Sequence, residues 1–144
     1  YDRGGFWQLQ EYDACSFEPY RHTIKKILEE EAGHQALGER IVVEMCRSGE
    51  YEADKQRHFE TWLRQGLLSF GRPETAGSKY AIEVGLKKRD AHAVMQDFID
   101  DIKPAVKACK LEFPPLESIG IVSPKAGLDF SLDAVDETRA EGYT

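Results

Sequence analysis

One long helix is predicted to carry ionisable side chains along the stripe that should be apolar. Within residues 24–45, apolar side chains recur at helical spacing at Ile24, Ile27, Leu28, Ile41, Val42 and Met45. Continuing this stripe places four further residues on the same face, namely Glu31, His34, Gln35 and Gly38. The opposite face carries Lys25, Lys26, Glu29 and Arg40. Burying a carboxylate and an imidazole is costly unless they are paired or bind a metal, so this stripe constrains the chain strongly.

The three-residue spacing of Glu31 and His34 has a specific meaning in helical bundles. A Glu-x-x-His pair that points inward from a bundle helix supplies one half of a di-iron carboxylate site. Carboxylate oxygens and imidazole nitrogens are donors that suit iron. The alternative is a solvated Glu31 beside a His34 that is an ordinary core histidine. The position of Glu31 and His34 within the apolar stripe favours the metal hypothesis, in which both side chains face the bundle interior.

Length, charge and cysteine content exclude several classes of protein. The chain has 144 residues, which is enough for one domain with a core, and its net charge of −7 argues against nucleic acid as a partner. We find neither a secretory signal nor an apolar run near the roughly 20 residues that cross a bilayer, so no membrane partner is predicted. Three widely spaced cysteines suggest neither a zinc ribbon nor a disulfide framework, and a cytoplasmic location is expected. Because the first residue is Tyr1, we expect further sequence upstream.

An all-α, ferritin-like helical domain is predicted for residues 1–112, followed by an extended acidic tail over residues 113–144. Four long helices are expected at about 1–14, 17–47, 51–70 and 91–110, with a short helix or turn at 80–86. Ser16 and Asp90 are the predicted N-caps of the second and last long helices, and Pro104 should kink the last one. The tail is rich in proline, glycine and acids. We expect it to lie on a partner or on its own domain, with a partly disordered end. Residues 119–122 form the one short run that resembles a strand.

A di-iron site needs more ligands than Glu31 and His34. If the first two helices are antiparallel, residues near the start of the chain lie at the same height along the bundle as Glu31 and His34. Asp2 is therefore the candidate carboxylate. Glu11 lies only about five residues from the turn, so at roughly 1.5 Å per residue it would be more than 10 Å from Glu31 along the axis. The second Glu-x-x-His and its carboxylate are absent from the sequence, and the remaining histidines do not supply them (His22, His58 and His92).

Three motifs give the chain a resemblance to a known family: residues 15–20 (Cys-Ser-Phe-Glu-Pro-Tyr), residues 30–34 (Glu-Glu-Ala-Gly-His) and Gly38-Glu39. They resemble the catalytic subunit of bacterial phenylacetyl-CoA epoxidase, the multicomponent ring 1,2-epoxidase. The order of features downstream is similar too. The resemblance covers nearly the whole chain but only the C-terminal half of that subunit. The related benzoyl-CoA epoxidase remains an alternative.

This resemblance implies a ferritin-like fold with a non-haem di-iron centre that uses dioxygen to epoxidise the ring of an aromatic acyl-CoA. A reductase component and a structural ferritin-like subunit are the implied partners, in an oligomer. Glu31 is carried over as catalytic, and the metal ligands would be Glu31, His34 and Asp2. Lys87, Lys88 and Arg89 could bind the CoA phosphates, although a solvated basic run is the alternative.

A second hypothesis is a metal-free ferritin-like scaffold that docks a catalytic partner. The missing ligands favour it for this chain taken alone, whereas the position of Glu31 and His34 favours the oxygenase for the parent protein. Because half of the expected ligands are missing from this sequence, we expect this chain by itself to carry little or no di-iron centre.

Overall fold

The structure, a computed structural model, describes residues 1–121, 127–133 and 135. It contains five α-helices and one short 3-10 helix: α1 (Asp2–Gln10), α2 (Glu18–Ser48), α3 (Lys55–Ser69), α4 (Ala76–Glu83), α5 (Ala91–Ala108) and η1 (Leu116–Ile119). No strand occurs within these residues, so the all-α class is confirmed and the arrangement is consistent with a ferritin-like bundle. None of the helices described combines the length and apolarity needed to cross a membrane.

Helices α1 and α2 form an antiparallel hairpin, as predicted. Near the turn, the rings of Tyr12 and Tyr20 meet edge to face with centroids 5.6 Å apart. At the far end, Arg3 of α1 forms a salt bridge with Glu39 of α2. Helix α2 ends where expected, at Gly49, whose left-handed backbone (φ 76°) stops the helix.

Ser16 does not cap α2, contrary to the prediction. The N-cap is Phe17, which makes no side-chain cap hydrogen bond, and Pro19 lies in the first turn. The Ser16 hydroxyl instead donates to the carbonyl oxygen of Val84 at 2.8 Å, and the Ser16 backbone N–H donates to the carbonyl of Gly85. Ser16 therefore ties the α1–α2 turn to the end of α4, a contact between distant parts of the sequence.

The main core lies between α3 and α5. Its buried members are Leu63, Leu67, Ala91, Met95, Phe98, Ile99 and Ile119. Helix α1 packs closely on this core at Gly4, where an added Cβ would already lie 3.8 Å from the rings of Phe70 and Phe98. Helix α5 begins as predicted, because the Asp90 side chain accepts a hydrogen bond from the His92 N–H. Pro104 lies inside α5 and is buried.

Only part of the predicted stripe on α2 is covered. Ile24 is the fully buried member of that stripe, whereas Val43, which lies outside it, is also buried and packs with Val106, Cys109 and Leu111 in a second, smaller cluster. Three side chains were expected to continue the stripe toward the C-terminus of α2 but are 41–50% exposed: Ile41, Val42 and Met45. Part of the apolar surface of α2 is therefore left uncovered by the other described residues.

The described part of the tail packs on the chain's own helices. The rings of Phe113 and Phe130 pack against each other in a tilted arrangement, 5.1 Å between centroids, and both contact the main core. The Gln96 amide accepts a hydrogen bond from the Asp129 N–H at 2.7 Å and donates to its carbonyl at 3.0 Å. Ile119 ends η1 and enters no strand, in agreement with the all-α class, and Val122 lies outside the described residues.

Candidate functional site

A cavity of about 260 Å³ opens between the start of α1, the middle of α2, and helices α3 and α5. Its apolar wall includes Phe59, Trp62, Leu63, Phe98, Ile102 and Val106. Its polar side is formed by five residues from α1 and α2, namely Asp2, Arg3, His34, Gln35 and Glu39. The arrangement is an aromatic and aliphatic pocket with ionisable groups along one side, which is the usual make-up of a ligand site.

Glu31 and His34 contact each other on the surface of α2. The His34 Nδ1 atom lies 3.4 Å from Glu31 Oε1. The Glu31 side chain is 25% exposed, whereas the His34 side chain is 62% exposed. The expectation that both would face the bundle interior is therefore wrong for His34, whose side chain lines the cavity but stays largely exposed. The helical spacing predicted that the two residues share one face of α2, and they do. Helical spacing alone does not show whether other parts of the protein cover that face.

Asp2 stays a candidate ligand. It is exposed in the first turn of α1, and it lines the same cavity as His34 although 32 positions separate them in the sequence. Glu31 is not among the residues that line this cavity. Over the described parts of the chain, no three His, Cys, Asp or Glu side chains come close enough together to hold a metal ion.

Glu11 was rejected as a metal ligand because it should lie too far from Glu31 along the helix axis. In the structure it has a different role. It is 5% exposed, and Arg89 donates to it from the backbone N–H at 2.8 Å, from Nε at 3.1 Å and from Nη2 at 2.8 Å. The second arm of the guanidinium donates to Asp97 at 2.6 Å. The hydrogen bonds that Arg89 donates to Glu11, followed by the one it donates to Asp97, raise the pKa of Arg89. Glu11 therefore holds the end of α1 to the start of α5.

An ionic network that sequence analysis missed lies beside the cavity. Arg3 donates to Asp101 of α5 at 2.7 Å, and the indole N–H of Trp7 donates to the same Asp101 oxygen at 3.0 Å. Arg3 also pairs with Glu39, and the three ionic side chains are only 12–17% exposed. The sequence contains one signal for this network: Glu39 falls four residues after Gln35 and therefore on the same face of α2. The partner of Glu39 depends on tertiary packing, which the sequence does not show.

Gln35 adds an unsatisfied acceptor to the cavity wall. Its side-chain oxygen is buried and has no hydrogen-bond partner among the described residues. Leaving a buried acceptor unpaired costs about 1–3 kcal/mol, so such groups are commonly satisfied by a bound molecule. The helical stripe identified Gln35 as part of this face, although not as an unpaired group.

The three basic residues considered for CoA binding all have partners within the chain. Lys87 donates to the Ser78 hydroxyl at 2.6 Å, Lys88 pairs with Asp13 at 2.7 Å, and Arg89 binds Glu11 and Asp97. Of the three, Lys88 makes the most solvent-exposed pair, with side chains 44% and 37% exposed. The segment therefore contributes to the fold, and CoA binding remains a prediction for it.

The chain was compared with families, curated proteins and solved structures. The sequence model of the family described as phenylacetic acid catabolic protein matches residues 1–121. No curated protein and no solved structure matches. The family match covers all five α-helices and η1, and so includes the four helices that line the cavity, α1, α2, α3 and α5. The chain belongs to the phenylacetic acid catabolic protein family.

Proposed function

We propose that this chain is part of a di-iron oxygenase subunit that epoxidises the ring of an aromatic acyl-CoA, such as phenylacetyl-CoA, with dioxygen. The observation that carries the proposal is the cavity, where Asp2 of α1 and His34 of α2 line one side and aromatic side chains line the other. Membership in a phenylacetic acid catabolic family supports the substrate class. The non-haem iron centre would activate dioxygen for insertion of one oxygen atom into the ring.

The residues present do not by themselves fit a complete iron centre. Glu31 and His34 are the right types at the right spacing, and Asp2 lies on the neighbouring helix, but these three do not converge on one point within the described chain. We propose that they supply part of the ligand set. The other carboxylate and Glu-x-x-His pair would come from polypeptide that packs on the exposed side of α2, where His34 lies.

The apolar wall offers a place for the aromatic ring. Phe98 and Phe59 contribute ring faces or edges, with Leu63, Ile102 and Val106 beside them. Aromatic side chains pack on a ligand ring with offset or edge-to-face geometry and exclude water from it. The unpaired oxygen of Gln35 would accept a hydrogen bond from a donor group of the bound ligand. These residues would bind and orient the ring and keep water out.

A scaffold function is the second candidate, favoured by one observation. His34 is 62% exposed and its ring contacts Glu31, which is how a surface histidine behaves in a protein that binds no metal. In that case the chain would hold a catalytic partner in a phenylacetate-degrading complex and would not itself contact the substrate.

The test is turnover by the intact parent protein with its reductase, its structural ferritin-like subunit and dioxygen present. Phenylacetyl-CoA, benzoyl-CoA and free phenylacetate would be offered separately. The proposal predicts a product that has gained one oxygen atom on the ring of a CoA thioester, and no product from free phenylacetate. Ring epoxidation that continues when this subunit is left out of the mixture would contradict the oxygenase assignment and support the scaffold.

A further inference from the structure

Two of the three cysteines in the sequence lie together where α2 and α5 end. Cys46 is three residues after Val43 on α2, so both project to the same side of the helix. Cys46 packs against the cluster that contains Cys109, Val106 and Leu111, so the two cysteines belong to the same buried region. Cys109 follows directly after α5 as its C-cap residue.

The two thiols differ in environment. Cys109 is 2% exposed, and burial, followed by the hydrogen bond with Cys46, raises its pKa to about 12. Cys46 is only half-buried, so solvent and small solutes reach it more readily.

We propose that Cys46 and Cys109 form a peroxide-oxidisable dithiol, which closes to a disulfide between α2 and α5. This inference is independent of the proposed oxygenase function. Cys15, the third cysteine, is also buried but belongs to the α1–α2 turn, so it would take no part.

The reaction balances with hydrogen peroxide as the oxidant. The Cys46 thiolate attacks one peroxide oxygen and breaks the O–O bond, which yields a sulfenic acid and, after protonation, one water. The Cys109 sulfur then attacks the Cys46 sulfur, the S–O bond breaks, and a second water leaves with the Cys109 proton. Two thiols are oxidised by two electrons in all, and peroxide is reduced to two waters.

The order of these steps follows from the structure. Because the raised pKa keeps Cys109 protonated, the attack on peroxide falls to the more accessible Cys46. Cys109 is already in contact with Cys46, so it can capture the sulfenic acid before a second peroxide does. Cys109 also lines the cavity of the candidate site, so closing the disulfide would change one wall of that cavity.

The experiment exposes the full chain to hydrogen peroxide, alkylates the remaining thiols and maps the peptides by mass spectrometry without reduction. We expect loss of two of the three free thiols, a linked pair of peptides that contain Cys46 and Cys109, and return of both thiols with a reductant. The Cys15→Ser variant, the matched control, should give the same linked pair.

The Cys109→Ser variant separates the two steps. It should form a sulfenic acid at Cys46 that dimedone traps, and no linked peptides. The proposal is overturned if wild-type Cys46 proceeds to sulfinic acid while Cys109 stays reduced, if no thiol is consumed, or if the linked pair contains Cys15.

Discussion

The carboxylate of Glu11, which directly follows α1, and the guanidinium of Arg89, just before α5, form an ion pair that several hydrogen bonds reinforce. Arg89 donates three hydrogen bonds to Glu11, one from its backbone and two from its side chain. Glu11 is buried, whereas the Arg89 side chain is 41% exposed. The pair fixes the end of α1 against the α4–α5 connection, and so sets the position from which α1 presents Asp2 and Arg3.

Replacing Glu11 should therefore destabilise the fold. Glu11→Ala leaves the backbone and side-chain donors of Arg89 without this acceptor. Removing one partner of a buried pair costs about 3–5 kcal/mol, and the exposure of Arg89 reduces this to about 2–3 kcal/mol. The measurement is the free energy of unfolding from urea denaturation. Glu83→Ala, at an exposed position on α4, is the control, and equal stability of the two variants would contradict the role of Glu11.

The N-cap of α5 should make stability depend on pH in the acid range. Burial alone would raise the pKa of Asp90, but hydrogen bonds from the Ser78 hydroxyl and from the N–H groups of Glu74 and His92 outweigh it, so the pKa is lowered. A lowered folded-state pKa stabilises the protein fully above the unfolded value of about 3.9. That contribution is lost as the pH falls through the lower folded-state value.

Asp90→Ala tests this directly. At about pH 7 the variant should be less stable than wild type by about 1 kcal/mol, the usual cost of losing an N-cap. The difference should shrink at about pH 3, below the unfolded value of about 3.9, because the Asp90 carboxylate takes up a proton more easily in the unfolded chain than in the folded one. Urea denaturation at both pH values measures it. A difference that stays constant or widens on acidification would show that the Asp90 charge does not stabilise the cap.

Gln96 should hold the described tail segment, residues 127–133, against α5. Its amide makes two hydrogen bonds to the backbone of Asp129. Gln96→Ala should cost about 1–2 kcal/mol and speed amide hydrogen exchange at Asp129, while exchange within α3 stays slow. Gln65→Ala, at an exposed position on α3, is the matched control. Unchanged exchange at Asp129 would mean that apolar packing of the tail is sufficient.

Lys88 is the residue through which CoA binding can be tested without damage to the fold. Its pair with Asp13 is exposed, and such pairs are worth about 0–1 kcal/mol. If Lys88 contacts a CoA phosphate, Lys88→Ala should weaken CoA binding several-fold and reduce its dependence on salt. Lys79→Ala, on the exposed surface of α4, is the control. The same dissociation constant for both variants, measured by calorimetry, would remove Lys88 from the CoA site.

Much of the fold could be predicted because local signals were sufficient. Asp90 caps α5 and Gly49 ends α2 as expected, since capping depends on residues a few positions apart. Ser16 carries the same kind of capping signal, but its hydroxyl bonds to Val84, and such a tertiary partner is invisible in a single sequence.

The candidate site, like the fold, could be predicted only in part. The helical register placed Asp2 beside the middle of α2, because helix length and rise fix that level, and Asp2 does share a cavity with His34. The exposure of His34 was not predicted, because periodicity identifies a face and not what covers it. The pairing of Arg3 with Glu39 and Asp101 also required the packing of three helices to be known.

The most direct test of the central claim is turnover of an aromatic CoA thioester by the Glu31→Ala and Glu29→Ala variants of the intact parent protein. Both glutamates lie on α2, but Glu29 is exposed and falls on the opposite side, so it is the matched control. With the reductase and dioxygen present, Glu31→Ala should lose epoxidation and bound iron while keeping its helical content, and Glu29→Ala should retain all three. Equal epoxidation by the two variants would remove Glu31 from the site and contradict the oxygenase assignment.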